Sequence, residues 1–582
     1  MNKYLKSNSN YDKSPSIKVK TPQHECVTGW ETICKHLLER LNEIHTNKKI
    51  IVVECYHGVL DEELIPALQN NLQGSQPVVR FFFSKDCMLA STEIDALVYP
   101  DVTDDEVFGY MTQLRLKDFF NESKTEATKK TIQETEGTVI VYGPGASLLC
   151  PQPDLLIYAD MPRWEIQQRF RKNQISNLGV SNKKLKASLK YKRAFFVDWR
   201  VCDAMKKQLI HRWDFVLDTT IPGQPKMVSG EDLRSAYSQA VRQPFRVVPF
   251  FDPGPWGGQW MKEYCDLDRD IENFAWCFDC VPEENSLLLQ FGNVTFETPA
   301  INLVFFESKK LLGDEVQKKF GDEFPIRFDF LDTMGGGNLS LQVHPTTKYI
   351  KEKFGMNYTQ DESYYLLDAG DDACVYLGLK DNISPEEMIR DLNRAQDEGI
   401  FFDVEKYVEK WPVKKHDHLL IPAGTVHCSG ANSMVLEISA TPYIFTFKLW
   451  DWGRMGLDGK PRPINIEHGA AVIDWSRTTD WVKNELINKI EKIDEGDGWV
   501  EEKTGLHELE FIETRRHWFT KKVFHQTNGS VNVLNLVEGK EAVVESPAGA
   551  FEPFIVHYAE TFIIPEAVKD YTIRPHGVSE GK

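Results

Sequence analysis

A chain of 582 residues, 41% of them hydrophobic, is too long for one core and has the material for three or four domains. Its 87 acidic against 68 basic residues leave a formal charge of −19, which argues against nucleic acid or an anionic membrane as the general partner, so an anionic substrate would need a locally basic pocket. The polar N-terminus has no apolar signal core, no stretch reaches the ~18 apolar residues of a membrane span, and the eleven scattered cysteines read as reduced thiols. A soluble cytoplasmic protein is expected.

Residues 1–24, rich in Ser, Asn and Lys, are expected to be a disordered lead-in. From there helical and strand patterns alternate. "ETICKHLLERLNEI" has helical spacing, "KKIIVVE" is a buried strand, "DEELIPALQNNL" is helical and "VVRFFFS" is a strand. "GTVIVYGPG" and "PDLLIYADMP" are further apolar runs that stop at turn residues. Apolar strands separated by helices predict a parallel sheet covered on both faces, so residues 25–240 are expected to form an α/β domain. Within it, Arg163 to Arg193 carries ten Lys or Arg against one Glu, a pattern that fits a solvated helical face, a phosphate lid or a docking surface.

After "RVVPFFDPGPWGG" the texture changes to short strands with turns: "LSLQVHP", "ACVYLGL", "DHLLIPAG", "MVLEISA", "YIFTFKLWDW", then "SVNVLNLVEG", "EAVVESP" and "PFIVHYAETFIIP". Such runs predict sandwiches or jelly rolls, giving a multidomain α/β plus all-β chain. "SPEEMIRDLNRAQDEG" is a helical insertion with a Ser N-cap. The charged stretch "WVKNELINKIEKIDEGDGWVEEKTG" is expected to bridge to a last β-domain at 505–582, leaving 243–490 as the central one.

In "NLSLQVHPTTKYI", side chains two apart on a strand face the same way, so Gln342 and His344 share a face and Pro345 ends the strand. A polar strand edge accounts for this pattern as well as a ligand pair does. Glu362 in "QDESYYLLDAG" and His427 in "IPAGTVHCSG" would complete two imidazoles, a carboxylate and an amide oxygen, a set suited to zinc with an open position. His416 and His418 in "KKHDHLL" also share a face and read as a polar turn, and the Cys277/Cys280 pair has no second pair at zinc spacing.

"GPWGGQW", "LSLQVHPTTKY", "DESYYLLDA", "IPAGTVHC", "MVLEISA" and "FKLWDWGR" together resemble type I phosphomannose isomerases, metal-dependent cupin enzymes, over about 243–582. The resemblance implies two cupin β-domains and one Zn²⁺ in the catalytic domain, held by Gln342, His344, Glu362 and His427. It implies interconversion of mannose 6-phosphate and fructose 6-phosphate through an enediol. Glu437 matches a position linked to acid/base work, Lys448 and Arg454 supply positive charge for catalysis and for the sugar phosphate, and Ser340 adds a hydroxyl to the phosphate. Trp256 matches the motif at the start of the catalytic domain, where packing is its expected role. The pattern departs from the family at Gln360, where the family has lysine, at Lys448, where it has arginine, and at "NFAW", residues 273–276, where it has a carboxylate. These departures keep a second reading open, a metal-holding cupin that senses or scaffolds a sugar phosphate without turnover.

The N-terminal domain resembles a P-loop nucleoside (uridine) kinase whose Gly-x4-Gly-Lys-Ser/Thr loop is absent from Glu54 to Asp61, which implies a pseudokinase. "GPGAS", residues 143–147, also lacks the Lys and Thr and reads as a turn.

Overall fold

The structure, a computed structural model, describes residues 9–20, 26–72, 79–440, 443, 445–455, 462, 464–505 and 511–582. It divides into two compact units, one of residues 16–241 with 282–308, the other of residues 1–15, 242–281 and 309–582.

The first unit is built on a seven-stranded sheet in the order Val27–Thr28, Lys226–Ser229, Phe215–Asp218, Leu155–Asp160, Lys49–Cys55, Thr138–Gly143, Val79–Phe83. The last five strands run parallel and the two at the opposite edge are antiparallel. Lys49–Cys55, rich in β-branched residues and buried from Ile51 onward, sits between two parallel neighbours. Helices Trp30–Asn42 and Asp61–Leu72 turn Ile33, Leu37, Leu41, Leu64 and Leu68 onto one shared core. Two features were not expected. The lead-in expected to be disordered contains the strand Ser16–Val19, which pairs in parallel with Leu288–Phe291 as the edge of a three-stranded sheet. The hairpin Ser286–Phe291/Val294–Pro299 belongs to this unit although it lies beyond the point where the sequence texture changes.

Half of the basic run is solvated, with Arg171, Lys172, Lys183, Lys184 and Lys186 exposed, and the other half is turned inward. Arg163, Arg169, Lys190, Lys192 and Arg193 are buried. Arg163 pairs with Asp203, Arg193 with Asp95 and Asp198, and Lys190 donates to the carbonyls of Phe170 and Lys183. Arg169 is 0% exposed and donates to Glu165 and to the carbonyls of Gly58, Thr219 and Thr220 at 2.8–3.1 Å. These five buried charges are spent on the unit's own backbone and carboxylates.

In the second unit two antiparallel sheets carry the center of the chain. One has six strands in the order His418–Ile421, Glu362–Ala369, Ser433–Ser439, Arg327–Asp332, Trp276–Cys280, Phe250–Asp252; the other has five, Val408–Pro412, Cys374–Leu379, His427–Ser429, Leu341–Val343, Phe447–Trp450. The helical insertion forms as Pro385–Glu398, and Ser384 Oγ accepts from the Glu387 amide at 3.2 Å as the N-cap. The stretch expected to be a bridge is instead helix Thr479–Glu485 followed by the hairpin Glu491–Gly496/Trp499–Gly505, which turns at Asp497-Gly498, with Gly498 at φ +82°. Its second strand pairs with Thr514–Phe519, and beyond it two small sheets enclose a core of Val544, Phe562, Ile564 and Tyr571. All eleven cysteines are buried and free, and no helix among the described residues is long and apolar enough to cross a membrane.

Replacing Arg169 by Met would strand three buried carbonyls, so the variant is expected to lose about 3–5 kcal/mol, read as a lower midpoint of the first unfolding transition in urea.

Candidate metal centre and its basic corner

Leu341–Val343 is a short strand in the middle of the five-stranded sheet. Gln342 has His427 as its cross-strand partner on one side and Lys448 on the other. His344 follows as the chain leaves the strand at Pro345. The opposing sheet supplies Glu362, the first residue of its strand, and next to it the strand with Glu437, whose cross-strand partners are Tyr364 and Asp329. The side chains meet between the sheets.

His344, Glu362 and His427 each place a ligand atom within 4.8 Å of the others, and all three are buried. Glu362 Oε2 lies 3.1 Å from His344 Nε2, and Oε1 lies 2.8 Å from His427 Nε2. The Gln342 amide reaches His427 Nε2 at 3.2 Å. Each imidazole is anchored from behind: His344 Nδ1 on the Phe445 carbonyl at 2.7 Å and His427 Nδ1 on the Thr425 carbonyl at 2.9 Å. A carbonyl accepts only, so each Nδ1 carries a proton and Nε2 is the ring atom turned inward, the one a metal ion would take. His344 Nε2 and Glu362 Oε1 close on their neighbors without forming a well-aligned hydrogen bond. Burial opposes charge on these groups, but His344 and His427 hold the Glu362 carboxyl well below its ordinary range, while Glu362 draws the His344 pKa up against the effect of burial. Two neutral nitrogens, one carboxylate and one amide in a space that favors positive charge fit a zinc ion.

Glu437 is buried beside this cluster, and its carboxyl is pushed well above the ordinary range by burial, then by the charges of Glu362 and Asp329. Gln360, two residues before Glu362, donates to Glu362 Oε2 at 2.9 Å. Tyr364, fully buried, packs its ring edge-on to His427 with centroids 5.8 Å apart.

The basic corner lies on the Lys448 side of Gln342. Asp451 is its hub: Ser340 Oγ donates to it at 2.7 Å, Arg454 at 2.7 Å and Arg462 at 2.9 Å, and Arg462 also reaches Ser340 Oγ at 3.2 Å. Arg454 additionally donates to the Asn338 carbonyl at 2.6 Å. Lys448 is half-buried there, its ammonium pushed down to about 7 by burial and then by Arg462, with Arg454 adding to the repulsion. Three cations around one carboxylate leave net positive charge for an anion.

The sequence singles out eight of these residues, Ser340, Gln342, His344, Glu362, His427, Glu437, Lys448 and Arg454, and gives no sign of Asp451, Arg462, Gln360 as a contact of Glu362, or Tyr364. Asp451 lies inside "FKLWDWGR", whereas Arg462, flanked by two prolines in the sequence, has no periodic signal. His416 and His418 stay out of the cluster: His416 pairs with Glu538 at 3.0 Å and His418 Nδ1 meets the Thr504 carbonyl at 3.0 Å. Trp256 is buried, edge-on to Trp276 at 4.8 Å. The glycine after it in "PWGG" leaves no room for a Cβ, which would fall 2.0 Å from Asn273 Oδ1; that amide also accepts from Gly254 N–H at 3.1 Å, so the Asn of "NFAW" holds the loop.

A family described as a domain of unknown function, DUF8485, matches residues 29–242. The chain is 28% identical over 233 residues to the mannose-6-phosphate isomerase ManA of Bacillus subtilis, covering 40% of this chain and 68% of that protein. It is 26% identical over 220 residues to a mannose-6-phosphate isomerase of Streptococcus mutans, covering 38% and 64%. The chain therefore spans about two thirds of the length of these relatives. A crystal structure of the mannose 6-phosphate isomerase of Bacillus subtilis aligns at a TM-score of 0.47 with 18% identity, over 57% of this chain and 96% of that one. The site is a buried His/Glu/His cluster between two antiparallel sheets that could hold a metal ion, and the sequence is related to phosphomannose isomerases over part of its length.

Burial pushes His418 down to about 4. Below the unfolded value near 6.5 the unfolded chain takes up a proton that the folded state refuses, so stability present above pH 6.5 is lost as pH falls toward 4. His418→Gln is expected to remove on the order of 3 kcal/mol of this acid-side slope, measured by urea unfolding between pH 7 and pH 4.

Proposed function

We propose that the chain is a zinc-dependent aldose-ketose isomerase acting on mannose 6-phosphate and fructose 6-phosphate. The observation that carries the proposal is the shared floor at Gln342, with an imidazole–carboxylate–imidazole cluster on one flank and a basic corner on the other. A sugar phosphate is a ligand with both ends, polar carbon–oxygen groups for the cluster and a dianion for the corner.

Gln342, His344, Glu362 and His427 would hold the zinc, which when bound supplies a Lewis acid for the sugar oxygens. Ser340, Lys448, Arg454 and Arg462 would anchor the phosphate, Arg462 and Arg454 through planar guanidinium groups already oriented by Asp451. Glu437 would take the proton from C2 of the aldose, leaving an enediolate, and return it to C1 as the hydroxyl proton passes from O2 to O1, restoring its own carboxylate. Its raised pKa makes it a stronger base than an exposed glutamate. Burial of the cluster keeps water away from the enediol.

A sugar-phosphate sensor is the second reading, and Gln360 is the observation that favors it, because an amide engaged with Glu362 and the Phe445 N–H shuttles no proton. The N-terminal unit is read in the same proposal as a kinase-like fold without a phosphate loop. Supporting this, Glu54 fills the turn at Gly145 and Ser147 by accepting both amides at 2.6 and 2.7 Å, and the nearby cations are paired inward.

A coupled assay on purified protein with mannose 6-phosphate separates the two readings. The isomerase predicts turnover that disappears with the zinc in His427→Ala, falls about 100-fold or more with zinc retained in Glu437→Gln, and shows a raised KM in Arg462→Ala. Bound zinc and sugar-phosphate stabilization without turnover would leave the sensor. Titration with magnesium and ATP is expected to give no binding heat, and tight binding would overturn the pseudokinase reading.

A further inference from the structure

Glu362 and His344 reach the cluster from different sheets, yet both are fixed on the backbone of a single residue, Phe445. The Phe445 carbonyl accepts from His344 Nδ1 at 2.7 Å, and the Phe445 N–H donates to Gln360 Oε1 at 3.1 Å. The other end of the same amide, Gln360 Nε2, donates to Glu362 Oε2 at 2.9 Å. Gln360 is 4% exposed, so these bonds have little competition from water.

We propose that Gln360 is a positioning residue of the metal centre, clamping Glu362 to the backbone of Phe445, the residue whose carbonyl also orients His344. This inference rests on the metal reading of the cluster. The amide's orientation is not a free choice: the Phe445 N–H requires an oxygen, so the NH₂ end must face the carboxylate. The donation removes one lone pair of Oε2 from competition and fixes the rotation of the carboxyl, directing Oε1 toward His427 at 2.8 Å. Because the donor is a neutral amide, it orients the carboxylate without placing a second full positive charge beside the cation. A carboxylate ligand held this way loses little side-chain freedom on binding a metal, and partners of this kind contribute about 10–100-fold in metal affinity.

The test is zinc affinity, measured by competition with a chromophoric chelator, together with the visible spectrum of the cobalt-substituted protein. Gln360→Met keeps the volume and removes both hydrogen bonds. Gln360→Glu keeps an acceptor for the Phe445 N–H and removes the donor to Glu362, which isolates one arm of the clamp. Both folded variants are expected to bind zinc at least ~10-fold more weakly than the parent, with an altered cobalt spectrum. Unchanged affinity and spectrum in folded Gln360→Met, with only a lower melting temperature, would show a merely structural residue and overturn the proposal. If the parent chain itself bound no zinc, the metal reading would fall and the clamp with it, an outcome distinct from an unaltered variant.

Discussion

The second unit turns on one carboxylate between two imidazoles. Glu362 comes from the six-stranded sheet; His344 and His427 come from the five-stranded one, so the cluster closes only where the two sheets face each other. Burying a carboxylate is costly unless opposite charge or donors compensate it. Here the compensation is supplied by the groups that would ligate a cation, and the draw of Glu362 on His344 is the same electrostatic demand expressed through a proton. The backbone carbonyls of Phe445 and Thr425 set the direction of both rings, so loop conformation, as much as side-chain identity, makes the cluster.

The spacing of strands gives the site its second half. Gln342 lies between His427 and Lys448 because its strand is flanked by theirs, which places an anion-binding corner one strand away from the cluster. Asp451 keeps that corner from repelling itself apart: Arg454 and Arg462 both rest on it, and Ser340 shares the contact. Lys448, without a comparable partner, bears the cost as a depressed pKa. The two units treat positive charge in opposite ways. In the first, buried cations are consumed by internal carbonyls and carboxylates; in the second, they gather about a single carboxylate with charge to spare.

Much of this was legible in the chain. The parallel sheet followed from apolar runs such as "KKIIVVE" separated by amphipathic helices, and Gln342 and His344 followed from the two-residue period of a strand. The basic run misled because sequence shows a charge but not the carbonyl it meets: Arg169 resembles a solvent-facing arginine until Gly58, Thr219 and Thr220 arrive from distant parts of the chain. Arg462 was invisible for the same reason, a loop cation whose purpose is set by Asp451 and Ser340. The charged hairpin at 491–505 escaped notice because its first strand is exposed throughout and neither strand has the apolar alternation that marks a half-buried strand.

By itself the sequence determined which residue types were available and the local period that put them on strand faces, since those depend on bonds and sterics within a few residues. Tertiary structure alone decided which of them meet. The 83 residues between His344 and His427, the pairing of the lead-in strand with Leu288–Phe291, and the joining of Gln360 to Phe445 across the chain are long-range contacts, whose energies depend on every intervening turn and no local pattern encodes.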